Sequence, residues 1–490
     1  MKFKIATLGC RNNQYESAEV RACFEKEGFQ PVPFNSRADI CVINTCSVTE
    51  KSNYRCRQII RKTVDSNPDS FVVVVGCYPQ LDTNAVKSLH GVDLILGNDE
   101  KLDIIEHLRD LNVNEQGKSS DEKTTDQKLM ENLPSDPFLQ QAQDRHLRRR
   151  GSMGGRKLID TLQIQKKKPE PKVIVGNSSN DTTFRSEEVN HFAGKTKAFL
   201  KIQTGCNYKC TFCVITLARG QSRSADTATV VRQFNRLLEN NFREITLSGI
   251  HLGSFGKDLS SQTSLYELLR ELIKIEGNFR IRLSSLGPKD ISDELIDLIA
   301  SSPKICNHLH ISLQSGSDRI LRLMKRNYRM ENVYELMDKL SGRIPDIGIG
   351  ADLIAGFPGE TDQEFQETLG VVKELPFSYL HVFNFSRRKN AAAYDLPDQV
   401  PNRVRKQRVF VLKELARQKS KKFKERFLGK DLYVLIEQNR DPETGSLKGY
   451  TGNYMSVHID GSDDLINQII PVRLSRIENE TLFGVYSGNA

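Results

Sequence analysis

Three cysteines stand in one short run, Gly205-Cys206-Asn207-Tyr208-Lys209-Cys210-Thr211-Phe212-Cys213, shortly after the apolar segment Phe199 to Gln203. Three thiolates on one loop can hold three irons of a 4Fe-4S cluster and leave the fourth iron without a protein ligand, open to a small molecule. A zinc site of this kind asks for a fourth Cys or His close by. None follows within the next 30 residues.

A second set cannot be seen in local spacing. Cys10 follows Thr7-Leu8-Gly9, Cys46 follows the apolar run Ile40 to Thr45, and Cys77 follows Val72 to Gly76. If each run is a strand of a parallel sheet, all three thiols stand at carboxyl ends of strands, where such sheets place their ligand crevice. Turn-forming neighbours (Gly9-Cys10-Arg11-Asn12, Asn44-Thr45-Cys46-Ser47, Gly76-Cys77-Tyr78-Pro79) suit a ligand loop better than a core position. Convergence of the three predicts a second cluster. Cys23, Cys41, Cys56 and Cys306 lie in helical or apolar segments, or next to one, and read as small hydrophobic residues.

The elements that must position these thiols form an α/β multidomain pattern. Residues 1–111 alternate strand-like and helical stretches, the signature of a small parallel-sheet domain. Residues 112–190 lose that pattern and read as a disordered basic linker or insertion, with ten Lys/Arg between Arg145 and Lys172 against Asp160 and Glu170. A solvated segment and a nucleic-acid contact both fit. Residues 191–427 carry six strand–helix units, as in a whole or partial (β/α) barrel whose chemistry sits at the carboxyl ends of its strands. They end in a basic helical segment: Asn402 to Lys430 carries 12 Lys/Arg against Glu414 and Glu425. Residues 428–490 have short strands separated by glycines and predict a small β-barrel, either structural or a grip on RNA through Tyr450 and Tyr454.

The chain has 490 residues, 38% of them hydrophobic, ten cysteines, and a formal charge of +9. No run is apolar and long enough to span a bilayer. The start resembles no export signal, so the expectation is a cytoplasmic protein with reduced thiols and no membrane association. The modest positive charge is compatible with a polyanionic partner without identifying one.

C-x3-C-x2-C at the top of a (β/α) barrel resembles the signature of radical S-adenosylmethionine enzymes. The resemblance implies that Cys206, Cys210 and Cys213 hold a 4Fe-4S cluster whose open iron binds S-adenosylmethionine. It also implies that Phe212 lies against the adenine. Ser248, Gly249, Ser284, Gln314 and Gly356 occur where strands end and fit a cofactor pocket, though ordinary turn chemistry also explains the glycines. Two three-cysteine sets with a flavodoxin-like first domain and a terminal TRAM barrel resemble the methylthiotransferase branch. There Cys10, Cys46 and Cys77 would hold a sulfur-handling 4Fe-4S cluster.

The branch implies a tRNA substrate, an electron donor such as a flavodoxin or ferredoxin, and a sulfur donor. Thr7-Leu8-Gly9-Cys10-Arg11, His308 to Ser317 and His381-Val382-Phe383 resemble the type acting on N6-threonylcarbamoyladenosine of tRNA. Isopentenyladenosine in tRNA and a ribosomal-protein aspartate are the alternative substrates. Two further readings are a tRNA-binding protein without catalysis and a radical enzyme using its second cluster for electron transfer only.

Overall fold

Runs of valine and isoleucine make the centre of the first sheet. The structure is a computed structural model describing residues 1–116, 170–178, 182–192 and 194–488. In it β1 (Lys2–Thr7), β2 (Gln30–Pro31), β3 (Ile40–Thr45), β4 (Phe71–Gly76), β5 (Leu94–Leu96) and β6 (Lys172–Ile174) form a parallel sheet in the order β2-β1-β3-β4-β5-β6. Every residue of β3 and β4 is buried, as a central parallel strand covered on both faces requires. Ile40, Val42, Val73 and Val75 pack with Phe3 and Phe24 on one face. Cys41, Ile43, Val72 and Val74 pack with Ile60 and Val86 on the other. The chain reverses its direction of strand addition between β1 and β3, which is the flavodoxin-like switch point.

The expected connector at 112–190 differs from the structure at both ends. The helix Ile104–Gln116 runs past residue 111, and Lys172–Ile174 completes the sheet by pairing with β5. Three residues are too few to show a period in sequence, so β6 is specified by the exposed edge of β5 more than by its own pattern. Phe184 and Val189 then pack against the core of the next region. The basic runs Arg148-Arg149-Arg150 and Lys166-Lys167-Lys168 lie outside the described residues.

The second region contains β7 (Lys197–Lys201), β8 (Gln203–Thr204), β9 (Arg223–Ser224), β10 (Glu244–Ser248), β11 (Arg280–Leu283), β12 (His308–Gln314), β13 (Gly348–Ala355) and β14 (Tyr379–Asn384). β7, β10 and β11 form one parallel sheet and β12, β13 and β14 another, joined by bridges at Ile281/Ile305 and Leu286/Ile311. This is a partial (β/α) barrel. The helix Arg11–Lys26 of the first region packs on β7, and the helix Asn402–Glu425 packs on β14. Leu309, Ile311, Ala351 and Leu353 enter the hydrophobic core, while the residues alternating with them (His310, Asp352) form a polar cluster.

β15 (Asp431–Ile436), β16 (Leu447–Thr451), β17 (Ser456–Ile459), β18 (Ile469–Glu478) and β19 (Thr481–Tyr486) close into the expected barrel, filled by Val434, Ile436, Val457 and Val472 and packed against Phe423 and Phe427. A buried ion-pair cluster attaches it. Glu244 bonds Arg280 at 2.6 Å and Arg282 at 2.8 Å, and the guanidiniums donate to the carbonyls of Tyr450, Thr451 and Gly452. Burial opposes the Glu244 charge, but Arg282 and Arg280 outweigh it and hold the carboxyl well below its usual range. Among the described residues no helix is long and apolar enough to cross a membrane.

Candidate active site

The Cys206 loop leaves β8 and is anchored by the Cys206 N–H to the Gly220 carbonyl at 3.1 Å and by the Thr211 N–H to the Met324 carbonyl at 3.2 Å. Each sulfur has a donor aimed at it. The Tyr208 N–H reaches Cys206 Sγ at 3.4 Å, the Ile215 N–H reaches Cys213 Sγ at 3.4 Å, and Arg326 Nη1 reaches Cys210 Sγ at 3.2 Å. Burial pushes the Cys206 thiol up and the Cys213 thiol up to about 11. These thiols therefore stay protonated when alone but are ready to charge against a bound cation, which suits a metal cluster.

Cys10, Cys46 and Cys77 follow β1, β3 and β4 at the switch point. Gly9 sits at φ +109°, and a Cβ there would lie 2.6 Å from Cys46 Cβ, so glycine is what lets the Cys10 and Cys46 loops approach. Burial raises the Cys46 pKa to about 12, with Cys77 and Cys10 adding to the rise. Burial also raises Cys10, against the nearby Arg219. The Asn98 amide donates to Cys77 Sγ at 3.6 Å and to the Ala218 carbonyl at 2.6 Å, linking this triad to the barrel. Two buried thiols, Cys46 and Cys77, beside the exposed Cys10 and with a neighbouring guanidinium fit an iron–sulfur cluster better than an inert core.

The interface between the two regions is polar and closed. Arg219 bonds Glu16 at 2.5 and 2.9 Å and Asn13 at 2.6 Å, and Lys101 bonds Glu16 at 2.7 Å. Asn12 donates to the Gln203 carbonyl at 3.3 Å and accepts from Ser248 Oγ at 2.5 Å. Arg388, after β14, donates to the Ser47 carbonyl and to Ser47 Oγ. It lies within electrostatic reach of Cys46 and Cys77 from one triad and Cys213 from the other. Arg388 is thus one charge that acts on cysteines of both triads.

The predicted pocket residues separate into groups. Phe212 packs against the cluster containing Met324, Phe357 and Phe385. Ser248 is committed to Asn12, and Gly249 lies against Gln203. Ser284 keeps a buried hydroxyl with no hydrogen-bond partner, Gln314 adopts a left-handed φ of +68° at the end of β12, and the Gly356 N–H donates to Glu360 at 2.7 Å. A buried unpaired hydroxyl beside strand ends fits a polar ligand such as S-adenosylmethionine.

Sequence reasoning missed Asn12, Asn13, Glu16, Asn98, Arg219, Arg326 and Arg388. Their partners are mostly more than 100 residues away, so only the polar residues following Cys10 gave a signal. Arg11, next to Cys10, brings its charge to the side occupied by His308 and Tyr379.

Comparison with known proteins gives two family matches: the Radical SAM superfamily over residues 200–372 and the Uncharacterized protein family UPF0004 over residues 2–97. The threonylcarbamoyladenosine tRNA methylthiotransferase MtaB of Bacillus subtilis is 34% identical over 96% of this chain and 92% of its own length. That of Aquifex aeolicus is 38% identical over 90% and 94%. The tRNA-2-methylthio-N(6)-dimethylallyladenosine synthase of Clostridium tetani is 30% identical over 98% and 95%. Among solved structures, the radical S-adenosylmethionine methyltransferase TsrM of Kitasatospora setae, with cobalamin and a [4Fe-4S] cluster bound, superposes with a TM-score of 0.53 at 13% identity, covering 80% of this chain and 76% of that one, which is a likeness of fold. Similarity of this extent over nearly the whole length makes the chain a member of the radical S-adenosylmethionine methylthiotransferase family.

Proposed function

We propose that this protein attaches a methylthio group to carbon 2 of N6-threonylcarbamoyladenosine beside the anticodon of tRNA. Two three-cysteine sets, one on the loop after β8 and one at the ends of β1, β3 and β4, support the reaction type. The MtaB relatives of Bacillus subtilis and Aquifex aeolicus, more similar than the Clostridium tetani dimethylallyladenosine synthase, support the substrate. The cofactors are S-adenosylmethionine and two 4Fe-4S clusters. When bound, they supply a 5'-deoxyadenosyl radical at one triad and sulfur at the other.

Cys206, Cys210 and Cys213 hold the first cluster, and Cys10, Cys46 and Cys77 the second. The donors from Tyr208, Ile215 and Arg326 stabilise charged sulfurs, and Arg388 with Ser47 fixes the Cys46 loop against the barrel. Phe212, Gly249, Ser284, Gln314 and Gly356 shape the S-adenosylmethionine pocket, with Ser248 fastening the first helix to its rim. An electron donor of the flavodoxin or ferredoxin class and a sulfur donor complete the system, in the cytoplasm.

Nucleoside mass spectrometry of tRNA from a strain lacking this protein tests the reading. Loss of 2-methylthio-N6-threonylcarbamoyladenosine with accumulation of the unthiolated nucleoside is expected. An unchanged profile, or loss of the dimethylallyl product instead, would overturn it.

A further inference from the structure

Three neighbouring strands bring His310 of β12, Asp352 of β13 and His381 of β14 together. His310 Nε2 lies 3.0 Å and His381 Nδ1 3.3 Å from the same Asp352 oxygen, and the three ligand atoms all fall within 4.8 Å of one another. A metal bonded at about 2.1 Å to ligands at right angles holds them about 3.0 Å apart, so each imidazole stands from Asp352 as neighbouring ligands of one ion do. Asp352 and His381 are register partners, which fixes the pair on adjacent strands.

The surroundings are organised as those of a metal-bound histidine are. The Tyr379 hydroxyl lies 2.9 Å from His310 Nδ1 and 2.9 Å from His308 Nε2. It can accept from His310 Nδ1–H while donating to His308, leaving His310 Nε2 as the ligating atom. Gly350 stands in register with both His310 and Tyr379, and a Cβ there would strike the Tyr379 ring. The His310 side chain is 6% exposed and that of His381 55%, so the cluster has a buried floor and one open side.

We propose that His310, Asp352 and His381 form a site for one divalent transition-metal ion on the barrel wall, with its remaining coordination positions open to oxygen ligands. Two imidazoles and one carboxylate select manganese, iron or zinc over magnesium and calcium. The site uses none of the six cysteines and does not depend on which nucleoside is modified.

The test is titration of the full-length protein, both clusters loaded and oxidised, with Mn2+ alone, reading the six-line EPR signal of the free ion. Manganese is chosen because it binds thiolates poorly. Uptake of one ion per chain, displaced by Zn2+, is expected. It should be lost in the His310→Ala/His381→Gln double variant and weakened about tenfold in Tyr379→Phe. Where the double variant fails to load its clusters, His381→Gln alone, which alters a largely exposed ring, should still weaken uptake at least about tenfold. Full signal intensity throughout the wild-type titration, or uptake unchanged in His381→Gln, would overturn the site.

Discussion

Cys206, Cys210 and Cys213 share one eight-residue loop, whereas Cys10, Cys46 and Cys77 come from three strand ends brought together by the sheet. The first triad needs little more than its loop and the donors around it. The second requires β1, β3 and β4 in register, Gly9 at the crossing and the Asn98 bridge to the barrel. Loop ligands tolerate distant perturbation better than ligands assembled from a sheet, because their geometry is set by few dihedrals. The same contrast governs how each triad should fail.

The largest effects come from the ligands. Cys206→Ala or Cys210→Ala should abolish reductive cleavage of S-adenosylmethionine while leaving the cluster of the first region in place, so iron content falls by about half; retained cleavage would break the division of roles. Gly9→Ala should do the converse. The strained backbone costs about 1–3 kcal/mol, and the second cluster is lost while cleavage persists, as iron analysis and 5'-deoxyadenosine yield would read.

Glu244→Gln leaves Arg280 and Arg282 buried without their carboxylate and should cost about 3–5 kcal/mol in urea unfolding, without distinguishing the two triads. Because the Glu244 pKa is depressed on folding, its contribution is fully present above the unfolded carboxyl range. It is lost as pH falls through the folded value, so wild type should lose more stability on acidification than the variant.

Arg326→Met removes a positive donor from Cys210 and should lower the potential of that cluster. An EPR-monitored redox titration reads this, and an equal shift at both clusters would count against it. The smallest effect belongs to the basic helix Asn402–Glu425. Arg405, Arg408, Arg417, Lys419 and Lys424 are engaged within the molecule, so only part of its charge is available to RNA. Lys406→Ala/Lys413→Ala should weaken tRNA binding a few-fold and reduce the salt slope by roughly 0.7–0.9 per lost contact.

Legibility followed the range of the forces involved. The C-x3-C-x2-C loop and the strong apolar runs of β3 and β4 announce themselves locally. Cys10, Cys46 and Cys77 became legible only when strand ends were placed on one sheet edge. β6 had no signal in its three residues, and Arg388 none at all, because its meaning lies in a contact with Ser47 341 positions away. The His310, Asp352 and His381 cluster was hidden in the same manner: each residue looks like one polar position in an alternating strand, and only the pairing of β12, β13 and β14 gathers them.

The most direct test of two triads with separate roles is Cys46→Ala, assayed for 5'-deoxyadenosine and for methylthiolated nucleoside in the same reaction. Cleavage of S-adenosylmethionine close to wild type with no methylthiolated product is the expected result. Wild-type product yield would contradict the assignment of Cys46 to the sulfur-handling cluster, and loss of both products would contradict the independence of the two triads.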